Sequence, residues 1–375
     1  MARSETIARQ LEAEIRQGRH GRPYDRFMTV RQLAARLRIS PVTAQKVFKR
    51  LKDAGLLVAD STNPSIISPA AVAPARDTKA AGPHRLGVVI TRIASPFFSS
   101  LCRHVQHAAG DRGYQVLVAA SEYDFARERR AVEGFLEIGV EGLLVVPGLD
   151  EACVGLYREL AERVPLVFLS RRPERVAADF VMADSFVGGA EVAGHLLSMG
   201  YATPAYIGFS RRLKHDVRLS GFRSALAEQD VTLPAERIVS DEGGTVAHGY
   251  RAMGRLMKLR PRPRAVFAFH DLLAIGALQY CQKHGIAVPE QVAIAGFDNL
   301  PQSQVTSPPL TTVAYPVEAM ARLAVQCLAD RVRDPSRSTA SRVLLEPHLV
   351  VRQSTDPAAR ETEPSAAGAD TYEMM

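Results

Sequence analysis

Cysteine is scarce in this chain, and its pattern excludes more than its number does. The four cysteines (Cys102, Cys153, Cys281 and Cys327) are scattered through 375 residues, with no C-x-x-C pair and no histidine at metal-ligand spacing. That excludes a disulfide framework and a zinc site of ordinary spacing, and reads as reduced core thiols. Tryptophan is absent, which decides nothing in a chain whose apolar content is otherwise ordinary. No apolar run approaches the ~20 residues of a membrane span. The opening stretch MARSETIARQLEAEIRQ is charged and amphipathic, without the apolar core or small-residue cleavage site of a secretory signal, so a cytoplasmic location is expected. Also missing are a G-x-S-x-G elbow, a Walker A loop and a G-x-G-x-x-G fingerprint. Neither a catalytic constellation nor a cofactor is expected.

Charge is unevenly placed. Residues 1–69 hold 13 Lys/Arg and 6 Asp/Glu, whereas the whole chain holds 47 and 40, so the remainder carries 34 of each and is neutral. A small basic module on a neutral body is the electrostatic footprint of a nucleic-acid binder.

Residues 1–68 read as three helices and a hairpin. Ser4 caps a first helix with Ile7, Leu11 and Ile15 on its apolar face, and Thr29 starts a second with Leu33, Ala34 and Leu37. Ser40-Pro41 supplies an N-cap followed by proline at the first position of a third helix, which is expected to bury Val42, Val47 and Leu51, with Phe48 as a further candidate. Short apolar strands, Leu56–Val58 and Ile66-Ile67, flank the turn-rich Ser61-Thr62-Asn63-Pro64. Residues 69–84, rich in Ala, Pro and Gly, read as a linker. From Arg85 to Asp356 apolar strands such as Leu86–Ile90, Leu166–Leu169 and Ala265–Phe269 alternate with helical patterns, which predicts an α/β fold with parallel sheets. Residues 357–375 are polar and Pro/Ala-rich, and read as a disordered tail. No internal sequence repeat is evident.

A helix, a tight turn and a second helix followed by a hairpin form the geometry that lays one helix in the major groove. The segment TVRQLAARLRISPVTAQKVFKRLKDAGLL resembles the winged helix-turn-helix reader of the GntR family. By that resemblance Arg31, Ser40, Thr43 and Gln45 contact DNA, with Lys46 and Lys49 as phosphate contacts; glutamine suits adenine and threonine the thymine methyl. Pro41 stands where that family has a DNA-contacting arginine, and the wing tip lacks its Gly-x-Gly.

The rest resembles the two-lobed effector domain of the LacI/GalR family, which shares the fold of periplasmic sugar-binding proteins. The signposts occur in order: LGVVI, SPFFSSL, GVEGLLVVP, VPLVFLSR, HLLSMGYATPAYIG, RLSGFRSAL, AVFAFHDLLAIGAL, GIAVPEQVAIAGFDN, SPPLTTVAYP and LVVRQST. The resemblance implies two α/β lobes joined by three crossovers, with a sugar-like effector between them and double-stranded operator DNA as the other partner. A GntR-type head on this body is similar to the arabinose-responsive repressors. A homodimer is implied as well, with the helix Phe98–Arg112 as a candidate interface.

Ligand candidates are residues just after strands: Phe97 and Phe98 for stacking on a sugar face, Ser170 with Arg171, Arg218 as a five-donor fork, His270, Asp271 and Asp298. Each has a plainer reading. The phenylalanines also suit a core, Asp271 suits an N-cap for LLAIGAL, and Arg218 and Asp298 could bridge each other. His270 stands where the family has asparagine, and an imidazole titrates near neutral pH. Tyr315 stands where some members place glutamine. Two rivals remain at this level, a free-standing solute-binding protein and an α/β sugar enzyme.

Overall fold

The computed structural model describes residues 3–16, 20, 27–54, 56–58, 66–67, 84–148, 152–209, 216–241, 243–334, 336–337 and 339–359. The wing tip 61–64, the linker up to residue 83 and the tail from residue 360 lie outside them. The chain divides into two compact units, Met1–Gly82 and Pro83–Met375.

The first unit contains α1 (Arg3–Arg16), α2 (Val30–Leu37), α3 (Pro41–Asp53) and an antiparallel pair, β1 (Leu57–Val58) with β2 (Ile66–Ile67). Start signals in the sequence act as they read. Thr29 and Gln32 form a reciprocal capping box on α2, and Ser40 accepts from the Thr43 amide with Pro41 at the first position of α3. Two expectations need correction. Ser4 lies inside α1 and does not cap it. Val42 is 62% exposed, because the buried face of α3 is Ala44, Val47, Phe48 and Leu51. That set follows the i, i+3, i+4, i+7 rule, and Val42 sits about 180° around the helix from Leu51.

The second unit runs β3 (Arg85–Ile90), α4 (Pro96–Gly110), β4 (Gln115–Ala120), α5 (Phe125–Ile138), β5 (Gly142–Val145), α6 (Ala152–Arg163), β6 (Leu166–Leu169) and β7 (Asp179–Ala183). It continues through α7 (Ser185–Ser198), β8 (Pro204–Phe209), α8 (Val217–Ala227), β9 (Ile238–Asp241), α9 (Val246–Leu256), β10 (Ala265–Ala268), α10 (Asp271–Lys283), β11 (Ala293–Asp298) and β12 (Thr311–Ala314). The final elements are α11 (Val317–Arg333), β13 (Arg342–Leu345) and β14 (His348–Val350).

These strands make two sheets, ordered β4-β3-β5-β6-β7-β13 and β9-β8-β10-β11-β12-β14. All neighbours are parallel except β14 against β12. Each sheet with its helices is one lobe. The chain passes between lobes after Ala183, after Ala314 and after Leu345, since β13 belongs to one sheet and β14 to the other. Successive strand residues are buried on opposite faces. Val88 and Leu144 face α4 and α11, whereas Val89 and Val145 face α5 and α6. A sheet covered on both sides needs such continuously apolar strands, which is why they read as runs in the sequence.

Helices α7 and α8 pack closely in the second lobe. A Cβ at Gly189 would overlap the Arg218 carbonyl, and one at Gly221 the Phe186 carbonyl. The two glycines therefore set how near α8, and with it Arg218, stands to α7.

Candidate functional site

In both sheets the strand order reverses beside the first strand, between β3 and β5 and between β8 and β10. The loops leaving the carboxyl ends diverge at such a point and leave a crevice. Here the two crevices join in one cavity of about 410 Å3 between the lobes. Its lining includes Phe97, Phe98, Ser170, Arg171, Arg218, His270, Asp298 and Tyr315.

Arg218 is the second residue of α8. Its guanidinium donates to the Phe269 carbonyl and, at 3.3 Å, to Asp298 Oδ1. It lies 3.8 Å from the Phe297 ring centre and 4.5 Å from that of Phe269. The pair is nearly enclosed, with side-chain exposures of 12% and 9%. The plainer reading of the sequence, that the two residues bridge each other, is what the structure shows, and both residues also line the cavity. Burial lifts the Asp298 carboxyl to about 6, although the Arg218 charge pulls it down.

Opposite them Phe97 and Phe98 occupy the first turn of α4. Both are buried in the main core and both reach the cavity, and Phe97 meets Phe98 and Tyr315 edge to face at 5.1 Å each. The cavity also takes in Arg92, Tyr123, Phe209 and Phe269, which the sequence did not single out. Tyr123 of one lobe touches Phe209 of the other edge to face, with centroids 5.6 Å apart. No motif marks these residues. Their common signal is position, because Phe209 ends a strand and the other three closely follow one.

Backbone strain gathers at the same place. Among the described residues eight non-glycine positions have positive φ, and Glu122, Tyr123, Ser170, Asp298 and Asn299 are five of them. Asp298 reaches 106°. Such conformations destabilise the fold and persist where the surroundings enforce them, commonly at ligand sites.

Three expectations for the βα turn at residues 270–271 are corrected. His270, not Asp271, is the N-cap of α10, its ring nitrogen accepting from the Leu273 amide at 3.3 Å. With Nδ1 used as acceptor, the proton is assigned to Nε2. Burial, together with the nearby Arg218 and Arg92 charges, holds this imidazole down at about 3, so it does not titrate near neutrality. Asp271 lies outside the cavity lining. It is fully buried and ties α10 to the next strands through the Leu300 amide at 2.7 Å and the Thr312 hydroxyl at 2.6 Å. Burial first, and the Asp298 charge second, lift its carboxyl to about 8.

These shifts have a measurable consequence. A raised carboxyl keeps in the folded unit a proton that the unfolded chain releases near pH 4, so stability falls as pH climbs toward the folded value. His270 acts oppositely, but only below about pH 6.5, where the unfolded imidazole takes up a proton that the buried ring refuses. Between pH 6.5 and 8 Asp271 therefore sets the slope, and unfolding free energy drops by roughly 1.5 kcal/mol. Thermal unfolding across that window checks the effect, and Asp271→Asn should flatten it. A wild-type midpoint indifferent to pH there would remove this account.

In the first unit Arg31, Ser40, Gln45, Lys46 and Lys49 are exposed, and Thr43 is half-buried with its hydroxyl 2.8 Å from that of Ser40. Gln45, Lys46 and Lys49 project from α3 on the side left open by its buried face. Arg50 is engaged by Glu5 of α1 at 3.0 Å. No group of residues suited to hold a metal ion occurs among the described residues, and no helix among them is long and apolar enough to cross a membrane.

Residues 193–355 match the family model of the periplasmic binding protein-like domain. The HTH-type transcriptional regulator DegA of Bacillus subtilis (strain 168) is 31% identical over 275 residues, 72% of this chain and 81% of DegA. The ribose operon repressor of Escherichia coli (strain K12) is 29% identical over 287 residues, 75% of this chain and 84% of that protein. A solved structure of a regulator assigned to the LacI family from Sanguibacter keddieii DSM 10542 superposes with a TM-score of 0.64 at 29% identity, covering 72% of this chain and 98% of the other.

Proposed function

The chain belongs to the LacI family of effector-responsive transcriptional regulators, which are not enzymes, and on that premise we propose how its two units act. The first unit reads operator DNA through α3, as a winged head of the GntR type. The cleft of the second binds a sugar or sugar acid that bridges the lobes. The observation that carries the second half is the Arg218–Asp298 pair, enclosed and stacked on Phe297, facing Phe97 and Phe98 across one cavity. A guanidinium donor beside a carboxylate acceptor grips vicinal hydroxyls, and an aromatic wall takes the CH face of the ring. Ser170 and the Nε2–H of His270 supply further polar contacts. A ligand touching both lobes favours the closed arrangement by its difference in affinity for the two states.

For the head, the capped α2–α3 pair followed by the β1–β2 hairpin supports the winged reading. Thr43 and Gln45 then face bases, while Arg31, Lys46 and Lys49 face phosphates and Ser40 holds the start of α3. Two copies of so small a reader on an inverted repeat multiply affinity through effective concentration, so a homodimer is part of the proposal. The test is operator binding by the full chain across salt concentration. Binding should weaken steeply with salt, and Lys46→Ala with Lys49→Ala should reduce the log–log slope by about two. An unchanged slope in the double variant would sink the assignment of α3, and a strict monomer on DNA by sedimentation would sink the dimer.

A further inference from the structure

We propose that the cleft selects an anionic sugar, one whose carboxylate or phosphate group is turned toward Arg171 on the first-lobe wall; this rests on the reading of the cleft as the effector site. Arg171 follows β6 directly after Ser170, whose φ is +62°. Its Nε donates to the Pro147 carbonyl at 2.6 Å. Its guanidinium carbon lies 5.8 Å from the Phe98 ring centre and 5.9 Å from that of Tyr123. The guanidinium also has a side-chain hydrogen bond with Tyr123, and of its two terminal nitrogens Nη2 is buried without a hydrogen-bond partner. It is one of four buried side-chain polar atoms in that state among the described residues, and two of the others, Thr91 Oγ1 and Ser121 Oγ, lie just past the ends of β3 and β4 in the same lobe.

The charges around the cavity show what is missing. Every acidic residue of the lining is already engaged. Asp298 holds Arg218, Asp184 caps α7 through the Phe186 and Val187 amides at 3.1 Å, and Asp216 takes the Leu219 amide and the Tyr206 hydroxyl. Among the described residues the first-lobe wall contributes two guanidiniums, Arg92 and Arg171, and no carboxylate to the lining before Asp184. Arg92 has Glu122 at 3.5 Å. The carboxylate behind Arg171 is Glu128, whose charge acts on the guanidinium but whose oxygens bind the Gly148 amide at 2.9 Å and the Tyr157 hydroxyl at 2.5 Å. Arg171 therefore sets a desolvated guanidinium with one unsatisfied nitrogen in the wall of a cavity whose own acids are occupied. A sugar hydroxyl would satisfy the donor and leave the charge, whereas an anionic oxygen satisfies both. A cavity of about 410 Å3 has room for a single sugar ring bearing such a group.

The test uses the full chain, with thermal shift and calorimetric titration against three matched sets of probes. These are neutral D-glucose, D-ribose and L-arabinose; the carboxylates D-gluconate and D-glucuronate; and the phosphate esters glucose 6-phosphate and ribose 5-phosphate. Stabilisation by at least one anionic set, with affinity at least tenfold above its neutral counterpart, is the expected result, and the set that binds tells carboxylate from phosphate. Arg171→Met should lose that tenfold preference, and Arg171→Lys should recover part of it. The Arg171→Met variant without ligand should unfold at or above the wild-type midpoint, because a desolvated cation with an unsatisfied nitrogen has been removed; a merely structural arginine would lower it. Neutral sugars binding as well as or better than the anions, or full anion affinity retained in Arg171→Met, would overturn the proposal and leave the cleft as the effector site. Failure of all three sets would overturn both.

Discussion

Arg218→Ala should lower effector affinity by about 2 kcal/mol or more, a shift of some thirtyfold or greater, while operator binding without effector stays near wild type. The loss is large because one side chain makes three kinds of contact. It donates to the Phe269 carbonyl, pairs with Asp298 and stacks on Phe297. Its removal also strands Asp298, whose carboxyl already stands at about 6 through burial. Without the guanidinium that value climbs further, and the acceptor for a ligand hydroxyl becomes protonated at neutral pH. Arg218→Lys should not rescue, since an ammonium is a point donor that cannot span both partners and lie flat on a ring. DNA affinity is insulated because α3 belongs to the other unit. Titration of operator binding against effector concentration measures the shift, and an unmoved midpoint would mean that the cleft is not the effector site.

Gly221→Ala should be the more damaging substitution for stability, although Gly221 is not itself a residue of the cavity lining. The added methyl would meet the Phe186 backbone of α7, which has no rotamer by which to yield. Helix α8 must move outward, at a cost of about 3 kcal/mol or more, the upper range for overpacking a tight core. Arg218, one turn earlier on α8, moves with it, so effector response should fall together with the unfolding midpoint. Gly189→Ala should act alike, through the Arg218 carbonyl. Gly194→Ala is the control on the same helix α7. Its Cβ meets nothing within 4 Å, so the better helix propensity of alanine should leave stability unchanged or raise it by up to about 1 kcal/mol. A Gly221→Ala midpoint within a degree of wild type would show that α7 and α8 are not packed as described.

The sequence by itself determined what depends on neighbours along the chain. The caps at Thr29 and Ser40 were legible because capping is a contact over three residues. The strands were legible because a sheet covered on both faces demands apolar runs, and placing Phe97, Ser170 and Asp298 at the cleft followed from their positions at or after strand ends, and Arg218 from its place at the start of the GFRSAL helix. Tertiary structure decided the rest. Which side of α3 is buried depended on where α1 and α2 lie, and Val42 fell on the open side. The depressed imidazole of His270 and the raised carboxyl of Asp271 come from burial and from charges far away in sequence, Arg218 and Asp298 among them. The repetition of one strand order in both lobes leaves no trace as a sequence repeat, because sheet order is set by long-range pairing and many apolar residues satisfy it equally. Arg171 is the clearest case. Its neighbours in sequence place it after a strand, but only the fold shows that the nearby acids are already bound, leaving a buried guanidinium with an unsatisfied nitrogen in the cavity wall.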